Sequence, residues 1–163
     1  MSRTNLSWEF TTHPCRGHPD GTDRILRPMM PATISKGNDK IDVPFLVDSG
    51  ADFPSIPRDL AEALSINIDD LPKDKISGVG GISDIAWVDL DIEFGQRGRQ
   101  FSYRWPFQVI LNNFHNKLPL VGREPLFLHF DVSFRMKYAG IRGKFVLSEV
   151  IRTRDPGRYK RKH

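Results

Sequence analysis

The clearest alternation of apolar and polar residues runs over positions 85–94. Apolar side chains at 88, 90, 92 and 94 alternate with acidic side chains at 89, 91 and 93. A period of two is typical of a strand with one face on a core and one face in water. The pattern predicts such a strand, followed by a turn at 95–99 and a second strand at 101–111 that is bent or at an edge around Pro106.

Shorter apolar runs extend this picture. Residues 27–35 and 41–47 flank the turn signal Gly37-Asn38-Asp39 and predict a hairpin, with the first strand's prolines favouring a sheet edge. Further strands are predicted around 6–12, 76–83, 118–121, 131–134 and 144–150. A short helix is predicted after Pro57 with an apolar face of Leu60, Ala63 and Leu64, and another at 124–130. About eight strands and two short helices indicate a mainly-β domain, either a closed barrel or a sandwich.

The length and charge of the chain favour one folded domain with basic character at one end. The 163 residues suffice for one core, and the net charge is +4. Residues 152–163 contain six basic side chains against Asp155 alone, so the rest of the chain is nearly neutral. We predict an N-terminal extension at 1–26, partly irregular, a folded domain at 27–150 and a solvated, disordered tail at 151–163.

The cysteine count and the lengths of the apolar runs disfavour several classes of protein. Cys15 is the only cysteine, so no intrachain disulfide can form, and His13, Cys15 and His18 lack the second ligand cluster of a structural zinc site. No apolar run approaches a membrane span, and residues 1–10 lack the apolar stretch of a signal peptide. We therefore expect a cytoplasmic protein without a metal, a cofactor or a membrane partner.

The candidate chemistry lies at the end of the predicted strand at 41–47. There an apolar run delivers Asp48-Ser49-Gly50, followed by Ala51 and Asp52. These residues are also good choices for an ordinary turn after a strand. Two further motifs follow in the chain, the glycine-rich tip Gly78-Val79-Gly80-Gly81 between strand-like segments and Leu120-Val121-Gly122-Arg123 before a short helix.

In this order the three motifs resemble those of the retropepsins, the single-domain aspartic proteases of retroviruses and their cellular and bacterial relatives. The resemblance covers about residues 27–150 and is closer to the bacterial or archaeal stand-alone type than to a viral enzyme. It implies an all-β fold, a closed acid-protease barrel with one or two short helices. It also implies an aspartic endopeptidase that needs no cofactor and acts on peptides or proteins.

The resemblance assigns catalysis to Asp48, with Ser49 and Gly50 holding its loop. Two carboxylates a few ångströms apart share one proton, so one can activate water while the other donates to the peptide carbonyl oxygen. The chain contains one Asp-Ser/Thr-Gly sequence, so the pair requires Asp48 from each of two copies, a homodimer.

The remaining family positions line or support the site. Ala51 and Asp52 would contact substrate, and Gly78, Val79, Gly80, Gly81 and Ile82 would form the flap that covers it. Gly122 would let its strand pass beneath the catalytic loop, and Arg123 would form an ion pair with Asp52.

The chain also departs from the viral pattern. Residues 1–26 have no clear counterpart, and the C-terminal segment is longer. Viral dimers are sealed by their chain termini, so the resemblance leaves open how this dimer is sealed.

Two other functions compete with proteolysis. One is a catalytically silent module of the same fold that binds peptides or dimerises, although a carboxylate pair without a catalytic use would cost stability. The other is nucleic-acid association through residues 152–163, which we regard as unlikely because a basic run alone has low specificity.

Overall fold

A computed structural model describes residues 5–17, 19, 21–78, 81–112, 118–136 and 143–150. Strands dominate, in a seven-stranded sheet ordered β4-β5-β10-β6-β9-β8-β7 that closes on itself because β4 also pairs with β8. The bounds of the strands are β1 Asn5–Glu9, β2 Thr11–Pro14, β3 Arg24–Arg27, β4 Met29–Lys36, β5 Asp39–Val47, β6 Ser55–Pro57, β7 Lys73–Gly78, β8 Gly81–Gln96, β9 Arg99–Ile110, β10 Leu120–Val121, β11 Phe130–Arg135 and β12 Lys144–Glu149. The ring formed by β4, β5, β10, β6, β9 and β8 is a closed barrel of six strands, and β7 pairs with β8 outside the ring. The predicted all-β fold with a closed barrel is therefore confirmed.

Two short α-helices accompany the strands, α1 at Arg58–Ala63 and α2 at Arg123–His129, together with a 3-10 helix at Ile68–Asp70. The predicted apolar face of α1 is wrong in one position. Ala63 is exposed, and Ala61 is buried in its place. Within the described ranges, no helix is long and apolar enough to cross a membrane.

The barrel interior is filled by large apolar side chains from facing strands. Phe45, Trp105 and Phe107 are fully buried, and the rings of Phe45 and Phe107 lie 6.0 Å apart. On β8, the residues at 88, 90, 92 and 94 are buried while Asp89 and Glu93 are exposed, as the alternation predicts. The strand that leads to Asp48 is thus anchored from inside the barrel.

Pro31 does not make β4 an edge strand, contrary to the expectation. β4 lies between β5 and β8, but its pairing with β8 covers only residues 33–35. Pro31 lies in the half of β4 that pairs with β5 alone, where a missing N–H leaves no gap in a second ladder. Pro106 similarly faces only β8, because β9 pairs with β6 at residues 108–110.

A second sheet joins the two ends of the described chain. Its order is β1-β12-β11, with both pairings antiparallel. Leu6 on β1 is buried and belongs to the same core as the barrel, and Phe145 of β12 stacks on Trp8. The predicted separation of residues 1–26 as an extension stays a prediction, as does the predicted tail at 151–163, which lies outside the described residues.

Candidate active site

Asp48 stands directly after β5 and is held there by β10. The short β10 runs parallel to β5, with Leu120 beside Leu46 and Val121 beside Val47. The Asp48 amide donates a hydrogen bond of 3.0 Å to the Val121 carbonyl. Because both strand ends are buried in the barrel wall, the backbone position of Asp48 is determined by the core.

Beyond Asp48 the chain turns sharply through Ser49 and Gly50. The Gly50 amide donates to Oδ1 of Asp48 at 2.8 Å, and the Ala51 amide donates to the Asp48 carbonyl at 3.3 Å. A Cβ on Gly50 would lie 3.2 Å from Oδ1 of Asp48, tighter than an ordinary contact. The turn thus orients one carboxylate oxygen through a backbone donor, and glycine leaves room for that contact.

Gly122 lies beneath the loop and is buried. A Cβ at this position would lie 2.7 Å from the Ala51 carbonyl oxygen and 2.8 Å from backbone atoms of Asp52 and Phe53. Since all three are backbone atoms, no side-chain rotation could relieve the overlap. Gly122 therefore packs against the loop at residues 48–52 at a distance that only glycine allows.

The start of α2 forms hydrogen bonds with the second half of the loop. The amides of Arg123 and Glu124 donate to the carbonyls of Ala51 and Asp52 at 2.9 and 2.7 Å. The Arg123 guanidinium also forms an ion pair with the Asp52 carboxylate, as predicted from the sequence. Both side chains are more than half exposed, so this pair adds orientation more than stability.

The loop at residues 48–52 is open to solvent in the single chain. Asp48 is half-buried, whereas Ser49, Gly50 and Asp52 are exposed. Beside it, a cleft of about 430 Å³ is lined by Asp52, Phe53, Arg123, Glu124, Phe127 and Leu128. Thus a rigid backbone presents the carboxylate at the surface, where a second molecule can reach it.

Gly78 and Gly81 of the glycine-rich segment lie opposite each other at the end of a pair of strands. β7 pairs along its whole length with the start of β8, from Lys73 opposite Ala86 to Gly78 opposite Gly81. Ile82, next to the tip, is 71% exposed. Val79 and Gly80 lie outside the described residues, so their predicted substrate contacts stay predictions. The hairpin has the strand pairing that a flap requires.

One neighbour of the site was not singled out from the sequence. Phe53, just after the loop, packs edge-on against Trp87 of β8, with ring centroids 5.1 Å apart. Trp87 occupies a position whose equivalents at 89, 91 and 93 are acidic. An aromatic residue on the otherwise polar face of a strand was the available signal that something packs there.

No metal-ligand cluster of three or more His, Cys, Asp or Glu side chains occurs within the residues that the structure covers.

Comparisons with known proteins agree with this geometry. A model of the aspartyl protease family matches residues 30–97, which include Asp48 and the β7–β8 hairpin. A crystal structure of a retropepsin-like aspartic protease from Rickettsia conorii superposes with a TM-score of 0.52 at 17% identity, covering 91% of this chain and 95% of that one.

The chain has the retropepsin-like fold. The resemblance inferred from the three motifs is confirmed, and the family match together with the retropepsin-like fold supports an aspartic protease. A search among curated proteins gave no match.

Proposed function

We propose that the protein is an aspartic endopeptidase that acts as a homodimer. The observation that carries this proposal is the placement of Asp48. Its carboxylate follows a core-anchored strand and receives a backbone hydrogen bond from Gly50, and Gly122 packs against the backbone of the residues that come next in the loop. These contacts hold the backbone of an exposed turn in place, whereas an ordinary surface loop does not require such packing.

The chemistry requires two carboxylates that share a proton. One chain supplies one Asp-Ser-Gly turn, so the second carboxylate comes from Asp48 of a second copy across a two-fold axis. The ionised member takes a proton from water as the water attacks the peptide carbonyl carbon. The protonated member donates to the carbonyl oxygen, which gives a tetrahedral intermediate without a metal.

The substrate is a peptide in extended form. It lies between the floor made by the loop at residues 48–52 and the β7–β8 hairpin above it. The exposed Ile82 beside the hairpin tip offers an apolar contact and excludes water once the hairpin closes. Asp52, which forms an ion pair with Arg123, belongs to this floor and contacts the substrate backbone.

The test is cleavage of a peptide library by the wild-type chain and by Asp48→Asn. The substitution keeps size and removes the charge, so we expect kcat to fall by about 10³-fold or more, as loss of an acid–base group implies. Asp89→Asn, on the exposed face of β8, is the matched control and should keep full activity.

The runner-up function, a silent module that binds peptides, makes the opposite prediction. It expects peptide binding at acidic and neutral pH with no turnover by the wild-type chain. Such a result, or equal turnover by wild type and Asp48→Asn, would overturn the endopeptidase proposal.

A further inference from the structure

Another cleft lies on the barrel wall, at the seam where β4 and β8 meet. β4 pairs with β8 at residues 33–35 only, while β4 continues along β5 and β8 continues along β9. The two strands therefore diverge beyond Thr33 and Glu93, and a cleft of about 430 Å³ opens between them. It shares no lining residue with the cleft beside Asp52, so it is a separate surface.

A proline and a glycine keep this seam open. Continuing the β4–β8 register would place Pro31 opposite Gly95, but the proline has no N–H to donate to a ladder. Gly95 lies against β9, where a Cβ would be 2.0 Å from the Arg99 carbonyl oxygen, so no side chain can fill the cleft from this position. The opening is thus a consequence of the residue types at positions 31 and 95.

The lining of this cleft is mostly apolar, with two exposed carboxylates. Thr33 stands between Asp42 on β5 and Glu93 on β8 in one cross-strand row, and its Oγ1 donates to Oδ1 of Asp42 at 2.5 Å. Neighbouring strands lie about 4.8 Å apart, so the backbones of the two acidic residues are about 10 Å apart. The apolar part of the lining consists of Pro31, Ala32, Val43, Pro44 and Phe94.

No cation within the described ranges neutralises the two carboxylates. None of the described residues that line the cleft is Lys, Arg or His, and the acidic neighbour on β8, Asp91, is the one that pairs with Arg104. An apolar cleft with free carboxylates suits a side chain that has an apolar stem and a cationic head. Lys and Arg have this form. The chemistry of the cleft therefore points to a basic peptide.

We propose that the basic segment at residues 152–163 occupies this cleft of its own chain. The segment has six basic side chains against Asp155 alone. Arg158, Lys160 and Lys162 alternate with other residues, so in extended form they share one face at intervals of about 6.8 Å. Their stems would lie along the apolar lining, and their charged heads would reach the two carboxylates. The segment then has a partner on the fold, in place of the free tail expected from the sequence.

The described chain ends within reach of the cleft. The Val150 amide donates to the His129 carbonyl at 2.8 Å. The ring of the next residue, Phe130, lies 5.6 Å from the ring of Phe94, which belongs to the cleft lining. Arg158 is eight residues beyond Val150, and eight extended residues span up to about 26 Å. A tether of this length gives an effective concentration on the order of millimolar, which favours the chain's own segment over a free peptide.

The first test is paramagnetic relaxation enhancement in the full chain. Cys15→Ser removes the native thiol, and His163→Cys carries a nitroxide at the far end of the segment. At low ionic strength we expect the amide signals of Thr33, Val43 and Gln100, which line the cleft, to be broadened. They should recover at 1 M salt, where charges are screened over about 3 Å.

The decisive variant is Asp42→Asn with Glu93→Gln, which removes both charges and keeps the side-chain size. The broadening at the cleft should be lost. Asp69→Asn with Asp89→Asn is the matched control, because both residues are exposed and neither lines the cleft. It should keep the broadening. Equal loss in the two pairs, or a folded wild-type chain whose cleft amides are never broadened, would overturn the proposal.

Mixed samples identify whose segment is bound. Chains labelled with ¹⁵N but without a nitroxide are combined with unlabelled chains that carry it. Broadening in the doubly labelled chain and none in the mixture supports docking within one chain. Equal broadening in the mixture would show that the segment of a second copy fills the cleft, and it would overturn the assignment.

The second test reverses the charges on both sides. Asp42→Lys with Glu93→Lys should abolish the broadening, because like charges then meet in the cleft. Adding Arg158→Glu, Lys160→Glu and Lys162→Glu should restore it, since opposite charges face each other again. Loss without restoration would contradict recognition of these three side chains.

This inference goes beyond the proposed cleavage and can fail independently of it. The labelled chain is measured without substrate, and Asp48→Asn should leave the broadening unchanged because Asp48 does not line the cleft. An active enzyme without broadening keeps the endopeptidase proposal and rejects the docked segment. A docked segment on a chain that cleaves no peptide does the reverse.

Discussion

The loop at residues 48–52 and the β7–β8 hairpin belong to the same sheet system but differ in the number of backbone contacts that hold them. The loop at residues 48–52 is held by hydrogen bonds to Val121, Arg123 and Glu124 and by the close approach of Gly122. Among the described strands, β7 of the hairpin pairs with β8 alone, and the side chain of Ile82 is largely exposed. The loop thus has backbone partners on two sides, whereas β7 has one.

This contrast matches two demands of the proposed reaction. A carboxylate that shares a proton across a dimer axis must be placed within a fraction of an ångström. A cover over the substrate must open and close, and such elements come from the less stable parts of a fold. In the proposed reaction the loop would meet the first demand and the hairpin the second.

Side-chain truncation should give the largest difference between the two regions, measured as the change in the free energy of unfolding. Phe45→Ala removes a fully buried ring from the strand that carries Asp48. It should lower the free energy of unfolding by about 3–5 kcal/mol. Ile82→Ala should change it by no more than about 0.5 kcal/mol, because that side chain is mostly in water.

Urea denaturation at one fixed protein concentration measures both changes, since dimerisation would otherwise shift the apparent stability. An equally large loss for Ile82→Ala would show that the hairpin is packed in the folded protein. That result would remove the contrast between the two regions.

A smaller effect is expected from glycine replacement. Gly122→Ala would place a methyl group 2.7 Å from the Ala51 carbonyl, so the loop or α2 must move. We expect a loss of about 1–3 kcal/mol in the free energy of unfolding, as for overpacking elsewhere. Gly78→Ala is the control in the hairpin, where a Cβ meets nothing within 4 Å and φ is not positive.

Gly122→Ala can also be assayed for cleavage. It should lower kcat because the backbone under Asp48 shifts, whereas Asp89→Asn, on the exposed face of β8, should retain kcat. Thermal denaturation of the same samples shows whether the variant is folded. It therefore distinguishes a low kcat caused by a misplaced carboxylate from one caused by unfolding. Wild-type kcat in Gly122→Ala would argue against a role for this contact in positioning Asp48.

The smallest effect concerns the ion pair at the edge of the loop. Asp52→Asn and Arg123→Met, alone and combined, form a double-mutant cycle. We expect a coupling energy of about 0.2–1 kcal/mol that shrinks as salt is added, because both partners are exposed. The Arg58–Glu62 pair of α1, in which both side chains are also more than half exposed, provides a reference. A coupling well above that reference would show that the loop depends on the pair for its folded shape.

The sequence itself determined the elements with a strong local signal. The alternation at 85–94 predicted the strand and its buried face, because a half-buried strand must repeat every two residues. The turn residues at 37–39 predicted the β4–β5 hairpin. Asp48-Ser49-Gly50, the glycine-rich tip and Gly122-Arg123 identified the site in order, because each needs specific residue types at one place.

Tertiary structure decided what depends on distant partners. The choice of a closed barrel over a sandwich rests on the pairing of β4 with β8, about sixty residues apart along the chain, which no local pattern encodes. Burial of Ala61 in place of Ala63 depends on the angle at which α1 meets the barrel. The joining of β1 to β12, which leaves β11 as an edge, is a contact between the two ends of the described chain. Such contacts are selected by the packing of the whole core, so they become visible only when the strands are assembled.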